Sequence, residues 1–179
     1  MKSLGAVIVA VLFLVPAAGH AQGGTTIEIG TGIGAGILTN GGTLTSIGAP
    51  GGGVFGQAPI YMSFFVNQSI MIQPELALTI LSGGGETITT LGAAANVGYA
   101  FSGASGPSPY VAASGAIQYA SAGGSSNSEF AAGGKVGYRV LVNSGFAASF
   151  EAGFRRWFDS SVNEITIAIR LGGIVSGSN

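Results

Sequence analysis

Residues 162–171, Val-Asn-Glu-Ile-Thr-Ile-Ala-Ile-Arg-Leu, alternate between large apolar side chains and small, polar or charged ones. Ile165, Ile167, Ile169 and Leu171 occupy every second position. A helix would repeat near 3.6 residues, whereas a period of 2 puts successive side chains on opposite faces of a β-strand. The apolar face of such a strand points either to a core or, in a membrane barrel, outward to lipid while the polar face points inward.

The N-terminal segment has the layout of a secretory signal peptide. A short positive start, Met1-Lys2, precedes an apolar run from Leu4 to Val15 and then small residues up to Ala21. This run is too short to cross a bilayer as a helix, which needs about 17–25 residues. We therefore expect residues 1–21 to be removed after export, leaving one domain over residues 22–179.

The composition favours the membrane interpretation. Only 7% of residues are charged, against about 25% in ordinary soluble domains. Glycine accounts for 33 of 179 residues. A soluble protein of this kind would expose large apolar patches, whereas a protein whose apolar face meets lipid would not. The sequence has no cysteine, so disulfides do not stabilise the exported domain.

Turn-forming residues divide the mature chain into eight predicted strands, most of about 11–14 residues, which is long for soluble sheets but suits a tilted bilayer crossing. The predicted strands are residues 25–38, 54–66, 70–81, 87–101, 109–120, 130–142, 146–158 and 162–171. An even number puts both chain ends on one side. We expect periplasmic turns at 67–69, 102–108 and 143–145, and external loops at 39–53, 82–86, 121–128 and 159–161.

Two prolines lie inside predicted strands. Pro59 and Pro74 each lack the N–H that a closed barrel would use in its ladder. We expect a bulge or a local shift of register at both positions.

Charged residues fall on the polar face of the predicted strands. An Arg or Lys facing lipid at mid-depth costs about 2–4 kcal/mol. We therefore predict a mostly structural ion-pair network in the lumen. Arg156 breaks the alternation, and near the outer rim its side chain can reach lipid headgroups. The predicted network comprises Glu28, Glu75, Lys135, Arg139, Glu151, Arg155, Glu164 and Arg170.

Aromatic residues gather near the predicted strand ends. Rings at these positions are typical of the two aromatic girdles that flank the apolar band of a membrane barrel. The predicted girdle comprises Phe64, Tyr99, Phe101, Tyr119, Phe130, Tyr138, Phe146, Trp157 and Phe158.

The sequence offers few residues for catalysis. The single histidine, His20, lies in the segment expected to be removed, and cysteine is absent. A Ser-His-Asp, Cys-His or histidine-bearing metal site therefore cannot form in the mature protein. Glu151 and Glu164 could do acid–base work, but ion pairing explains both. Six Lys and Arg residues less Lys2 leave five in an acidic mature chain, which disfavours nucleic-acid binding. We expect no enzyme activity, no cofactor and no metal.

Three phrases of the sequence resemble a known family. Residues 73–76 (QPEL), 108–115 (SPYVAASG) and 132–139 (AGGKVGYR) are similar to the small eight-stranded outer-membrane β-barrels, the OmpA/OmpX-like barrels. The resemblance extends over about residues 24–175 and implies an integral outer-membrane protein of a Gram-negative bacterium. Family roles are envelope integrity, surface contact or adhesion. Family members commonly end on an aromatic residue that the insertion machinery reads, whereas this sequence ends Gly-Ser-Asn.

The sequence thus predicts an all-β protein, a closed eight-stranded antiparallel up-and-down transmembrane β-barrel that is monomeric and has a structural role in the envelope. Its expected partners are outer-membrane lipid, lipopolysaccharide and the insertion machinery. Eight strands leave an interior wide enough for side chains only, which disfavours a general porin-like pore.

Three alternatives remain open at this stage. A glycine- and alanine-rich lumen leaves room for a weak, narrow pore. Surface adhesion would depend on the 39–53 loop, whose deletion should then abolish attachment. Low charge and β-branched runs also suit a soluble exported β-barrel or a fibre-forming protein.

Overall fold

Nine strands, each antiparallel to its neighbours, make up the computed structural model, which describes residues 26–39, 43–48, 60–83 and 86–176. No helix within these ranges is long and apolar enough to cross a membrane. The strands are β1 (Thr26–Thr39), β2 (Thr43–Gly48), β3 (Ile60–Phe65), β4 (Ile70–Gly83), β5 (Glu86–Ala100), β6 (Ser108–Ala122), β7 (Ser125–Asn143), β8 (Phe146–Trp157) and β9 (Asn163–Ser176).

The first and last long strands close the sheet into a barrel. β9 pairs with β1 along its whole length, from Thr26 opposite Ser176 to Thr39 opposite Asn163. The other edge of β1 pairs with β3 over its first part and with β2 over its second part. Nine strands therefore occupy eight positions around the barrel, and the predicted closed eight-stranded antiparallel fold is confirmed.

The structure describes only part of the predicted second strand, and it corrects the loop that was predicted before it. Of the predicted strand 54–66, the structure describes strand only at Ile60–Phe65, and residues 54–59, including Pro59, lie outside the described residues. β2 instead lies within the predicted loop 39–53. The segment TLTSIG carries β-branched residues that favour a strand, but the glycines around it resemble a loop in the sequence.

Short connections join neighbouring strands at both ends of the barrel. The end with residues 26 and 176, here the proximal end, has the short connections 66–69, 101–107 and 144–145. At the opposite, distal end the predicted loop 121–128 was wrong. Only Gly123 and Gly124 connect β6 to β7, with φ of 55° and 82°. Positive φ at both central residues is typical of a type I′ hairpin turn, which extends the strands beyond their predicted ends.

Pro74 is accommodated without a bulge. The β3–β4 register is the same on both sides of it, with Tyr61 opposite Glu75 and Phe64 opposite Ile72. The ladder is interrupted between these pairs, where the side-chain Nε2 of Gln73 donates a hydrogen bond to Ser63 Oγ over 2.8 Å. The predicted shift of register is therefore wrong at Pro74, because a local gap in the ladder suffices for the missing N–H.

The two faces of the sheet have opposite character. Large apolar side chains such as Ile33, Val136 and Ile167 point outward and are 55–61% exposed. Charged and polar side chains point inward and are buried. The proximal end of the lumen is filled by an apolar cluster, the proximal cluster, which consists of Phe65, Met71, Ala100, Ala104 and Tyr110.

Candidate functional site: the barrel lumen

The alternation of each strand carries the charged side chains into the lumen. All eight residues of the predicted ion-pair network lie there, and every one of them takes part in an ion pair within 4.0 Å. Their side chains are 3–7% exposed, except for Arg155 at 22%. Burial at this depth requires each charge to have a partner, because an unpaired ion would lose its hydration without compensation.

Glu75 on β4 is the centre of the network. One of its carboxylate oxygens lies 2.7 Å from Lys135 Nζ and 2.8 Å from Arg170 Nη1. The other lies 3.6 Å from Arg155 Nη2. These cations come from β7, β9 and β8, so one carboxylate connects strands from different sides of the barrel.

Glu151 on β8 is the second central carboxylate. It pairs with Arg170 Nε at 2.5 Å and with Lys135 Nζ at 3.4 Å. The Tyr110 hydroxyl also donates a hydrogen bond to it. Lys135 donates a further hydrogen bond to the side-chain oxygen of Gln73. The central group thus balances Lys135 and Arg170 against Glu75 and Glu151.

A separate pair lies toward the proximal end. Arg139 Nε donates to Glu28 over 2.8 Å, and the Tyr61 hydroxyl donates to the same carboxylate over 2.7 Å. Arg139 Nη1 donates to the backbone oxygen of Ala104 over 2.9 Å, and its guanidinium lies 5.4 Å from the centre of the Phe65 ring. Ala104, in the connection 101–107, is thereby held inside the barrel as part of the proximal cluster.

The distal part of the network is looser. Arg155 Nη1 lies 3.9 Å from Glu164, which is too long for a hydrogen bond. Its Nε donates to Ser114 Oγ over 3.2 Å. The indole N–H of Trp157 donates to Glu164 over 3.0 Å. The girdle prediction for Trp157 is therefore wrong: this ring is buried in the lumen, because its N–H finds a carboxylate there.

The remaining girdle residues have mixed positions. Tyr119 and Phe146 are half-buried, and Phe64 is only 6% exposed although it lies opposite the outward-facing Ile27 and Ile72. The girdle role of Phe64 therefore stays a prediction, since its ring lies on the outward face but is covered. The exposed rings near the two ends are Tyr99, Phe101, Phe130, Tyr138 and Phe158.

The charge pattern alone did not find the hydroxyl and amide groups that complete the network. Tyr61, Gln73 and Tyr110 each hydrogen-bond a network residue. Their positions alternate with outward-facing neighbours such as Ile72 and Val111, so strand parity could have placed them inside.

The arrangement neutralises the carboxylates that acid–base chemistry would need. Of the pair considered for catalysis, Glu151 lies within 4.0 Å of two cations and Glu164 within 4.0 Å of one, and each accepts a hydrogen bond. Within the described ranges no group of three His, Cys, Asp or Glu side chains could hold a metal ion.

Comparison with solved structures places this fold among small outer-membrane barrels. Neisserial surface protein A aligns with a TM-score of 0.58 at 12% identity, covering 85% of this chain and 99% of that chain. Ail, the attachment invasion locus protein of Yersinia pestis, in complex with the heparin analogue sucrose octasulfate, gives 0.57 at 12%, with 84% and 99% covered. The N-terminal β-barrel domain of Pseudomonas aeruginosa OprF gives 0.54 at 15%, with 84% and 97% covered.

The resemblance to small eight-stranded outer-membrane barrels is thereby confirmed at the level of the fold. No protein-family model matches the chain, and no curated protein matches it.

Proposed function

We propose that the chain is an integral outer-membrane β-barrel protein with a structural role in the envelope, that it is monomeric and non-enzymatic, and that ion pairs close its lumen. The observation that carries this proposal is that the sheet has its apolar face outside and its charged face inside, the reverse of a soluble barrel. Isoleucines are exposed on the outside while Glu75, Arg170 and their partners are buried inside. Exposing such an apolar exterior to water is unfavourable, whereas contact with acyl chains is favourable.

A fractionation experiment tests the location. We expect the full-length chain, expressed in a Gram-negative host, to stay in the membrane pellet after a carbonate wash. We also expect its mobility on a gel to change on heating, because a closed barrel stays folded in cold detergent. Release by carbonate together with an unchanged mobility would contradict the proposal and would favour the soluble exported alternative.

Side chains lie across the lumen at two levels. The proximal cluster fills one end, and the central ion pairs fill the middle, where Tyr110 belongs to both levels through its hydrogen bond to Glu151. The interior of an eight-stranded barrel has room for side chains or for one small ligand, but not for a wide channel. These two layers support a closed barrel over the narrow-pore alternative.

Planar-bilayer recordings test the closed lumen. We expect no channel events from the wild-type protein, and a measurable rate of events from Tyr110→Ala, which removes the ring shared by both layers. Phe150→Ala is the matched control, because it removes a ring of similar size from the outward face, where Phe150 is 55% exposed. Stable wild-type channels would establish the pore and exclude the closed lumen.

Lipid and lipopolysaccharide are the proposed partners of the outer surface. Arg156 faces outward near the distal rim, where its Nη1 donates to Ser161 O over 2.5 Å and to Asn163 Oδ1 over 2.9 Å. These bonds hold a cation at the level expected for headgroup phosphates.

The signal peptide over residues 1–21 and cleavage after Ala21 lie outside the described residues and stay predictions.

A further inference from the structure

A partly open cavity of about 100 Å³ lies in the lumen on the distal side of the central ion pairs. Glu75, Lys135, Glu151 and Arg170 line its floor. Small side chains surround it, so the space arises where the barrel wall carries little side-chain volume. Among these inward-facing wall residues are Gly34, Ala77, Gly92, Ala116, Gly153 and Ala168.

The volume suits one small molecule. A cavity needs a volume of roughly 10–15 Å³ to hold a single water molecule. An apolar cavity of about 150 Å³ holds a benzene molecule. This cavity is smaller than that but partly open, so a solute of about six non-hydrogen atoms would extend toward its open side. Mixed walls of alanine, glycine and hydroxyl groups suit a molecule with a short carbon backbone and several hydrogen-bonding groups.

The charges that line the cavity are balanced. The cations Lys135, Arg155 and Arg170 face the carboxylates Glu75, Glu151 and Glu164. A net anion or cation would upset this balance in a poorly solvated site, where Coulomb interactions are strong. An uncharged solute that both donates and accepts hydrogen bonds would not.

Arg155 and Glu164 are the groups best placed to recognise such a solute. The Nη atoms of Arg155 lie 3.6 and 3.9 Å from their carboxylate partners, so their N–H groups lack close acceptors. Arg155 is also the most exposed member of the network. Glu164 receives the Trp157 indole N–H at one oxygen, and its other oxygen has lone pairs for a second donor.

We propose that this cavity binds a small uncharged polyol of glycerol size. Arg155 donates to one hydroxyl oxygen of the polyol, Glu164 accepts from a hydroxyl group, and Trp157 forms a wall. This binding role goes beyond the structural role proposed above and does not require the barrel to conduct.

Trp157 provides the measurement, because it is the sole tryptophan of the chain and lines the cavity. Titrating the folded full-length protein in detergent with glycerol should give a saturable change in tryptophan fluorescence, with a dissociation constant on the order of 1–100 mM. Arg155→Lys keeps the charge but loses the planar fork, and it should weaken binding roughly tenfold.

Two glycine variants make the test specific to the cavity. Gly92→Leu should abolish the saturable change, because a Cβ at Gly92 points into the cavity and meets nothing closer than 3.9 Å. Gly115→Leu is the matched control on the outward face of β6, where a Cβ meets nothing within 4 Å, and it should bind like wild type. Ala116→Leu replaces Gly92→Leu if the latter does not fold.

Three outcomes would overturn the polyol site. These are a linear, unsaturable response to glycerol, an equal response in the cavity-filled variant, or tighter binding of acetate than of glycerol. A fully membrane-embedded, non-conducting protein that shows any of these would retain the proposed function and lose only the binding site.

Discussion

Glu75→Gln is expected to lower the free energy of unfolding by about 3–5 kcal/mol, the usual cost of removing one partner from a buried ion pair. The carboxylate of Glu75 is 3% exposed and lies within 4.0 Å of Lys135, Arg155 and Arg170. Without it, these three cations share only Glu151 and Glu164. Urea unfolding of the protein in lipid vesicles measures the loss.

Glu129→Gln is the matched control for this change. Glu129 lies near the distal end of β7 and accepts a hydrogen bond from the backbone N–H of Ser160 over 2.6 Å, outside the lumen network, so its loss should cost under about 1 kcal/mol. Glu75→Gln combined with Lys135→Met restores the charge balance and should recover part of the stability. Equal effects of Glu75→Gln and Glu129→Gln would show that the network does not stabilise the fold.

Ile167→Arg should make folding into a bilayer less favourable by about 2–4 kcal/mol, because it places a cation near mid-depth on the outer face. Ile167 is 61% exposed and lies opposite Ala35 on β1 and Ala152 on β8. Reversible folding into vesicles, followed through the fluorescence of Trp157, measures the difference from wild type.

Val175→Arg provides the comparison on the same strand and the same face. Val175 is 58% exposed but lies one residue from the proximal end of β9. An arginine there reaches the headgroups and should cost only about 0–1 kcal/mol. If both arginines were tolerated equally, the outer face would not meet acyl chains.

The strand faces were predictable because one simple rule governs them. Ile165, Ile167 and Glu164 alternate with period 2, and the cost of exposing a charge to lipid fixes which face points inward. The same rule places Trp157 on the inward face with Glu151 and Arg155. The girdle prediction placed Trp157 on the outward face despite this alternation. In the structure the indole N–H of Trp157 instead donates to the carboxylate of Glu164 inside the lumen.

Glycine-rich segments were less predictable. β2 follows the glycines at 41–42 and ends on Gly48, and glycines give no side-chain pattern, so the sequence did not show that β2 and β3 share one edge of β1. The hairpin around Gly123 was missed because its strands carry small or polar residues on both faces, which in a sequence resembles a loop. The partners within the network depend on register across the barrel, which alternation along single strands does not determine.

The ion pairs between strands that are far apart in the sequence have a consequence for biogenesis. Glu28 on β1 meets Arg139 on β7, and Glu75 on β4 meets Arg170 on β9, so these contacts form only when distant parts of the chain have come together. A half-assembled sheet entering the hydrocarbon would carry these ions without counter-charges. We therefore expect the insertion of the hairpins to be coupled to the pairing of β1 with β9.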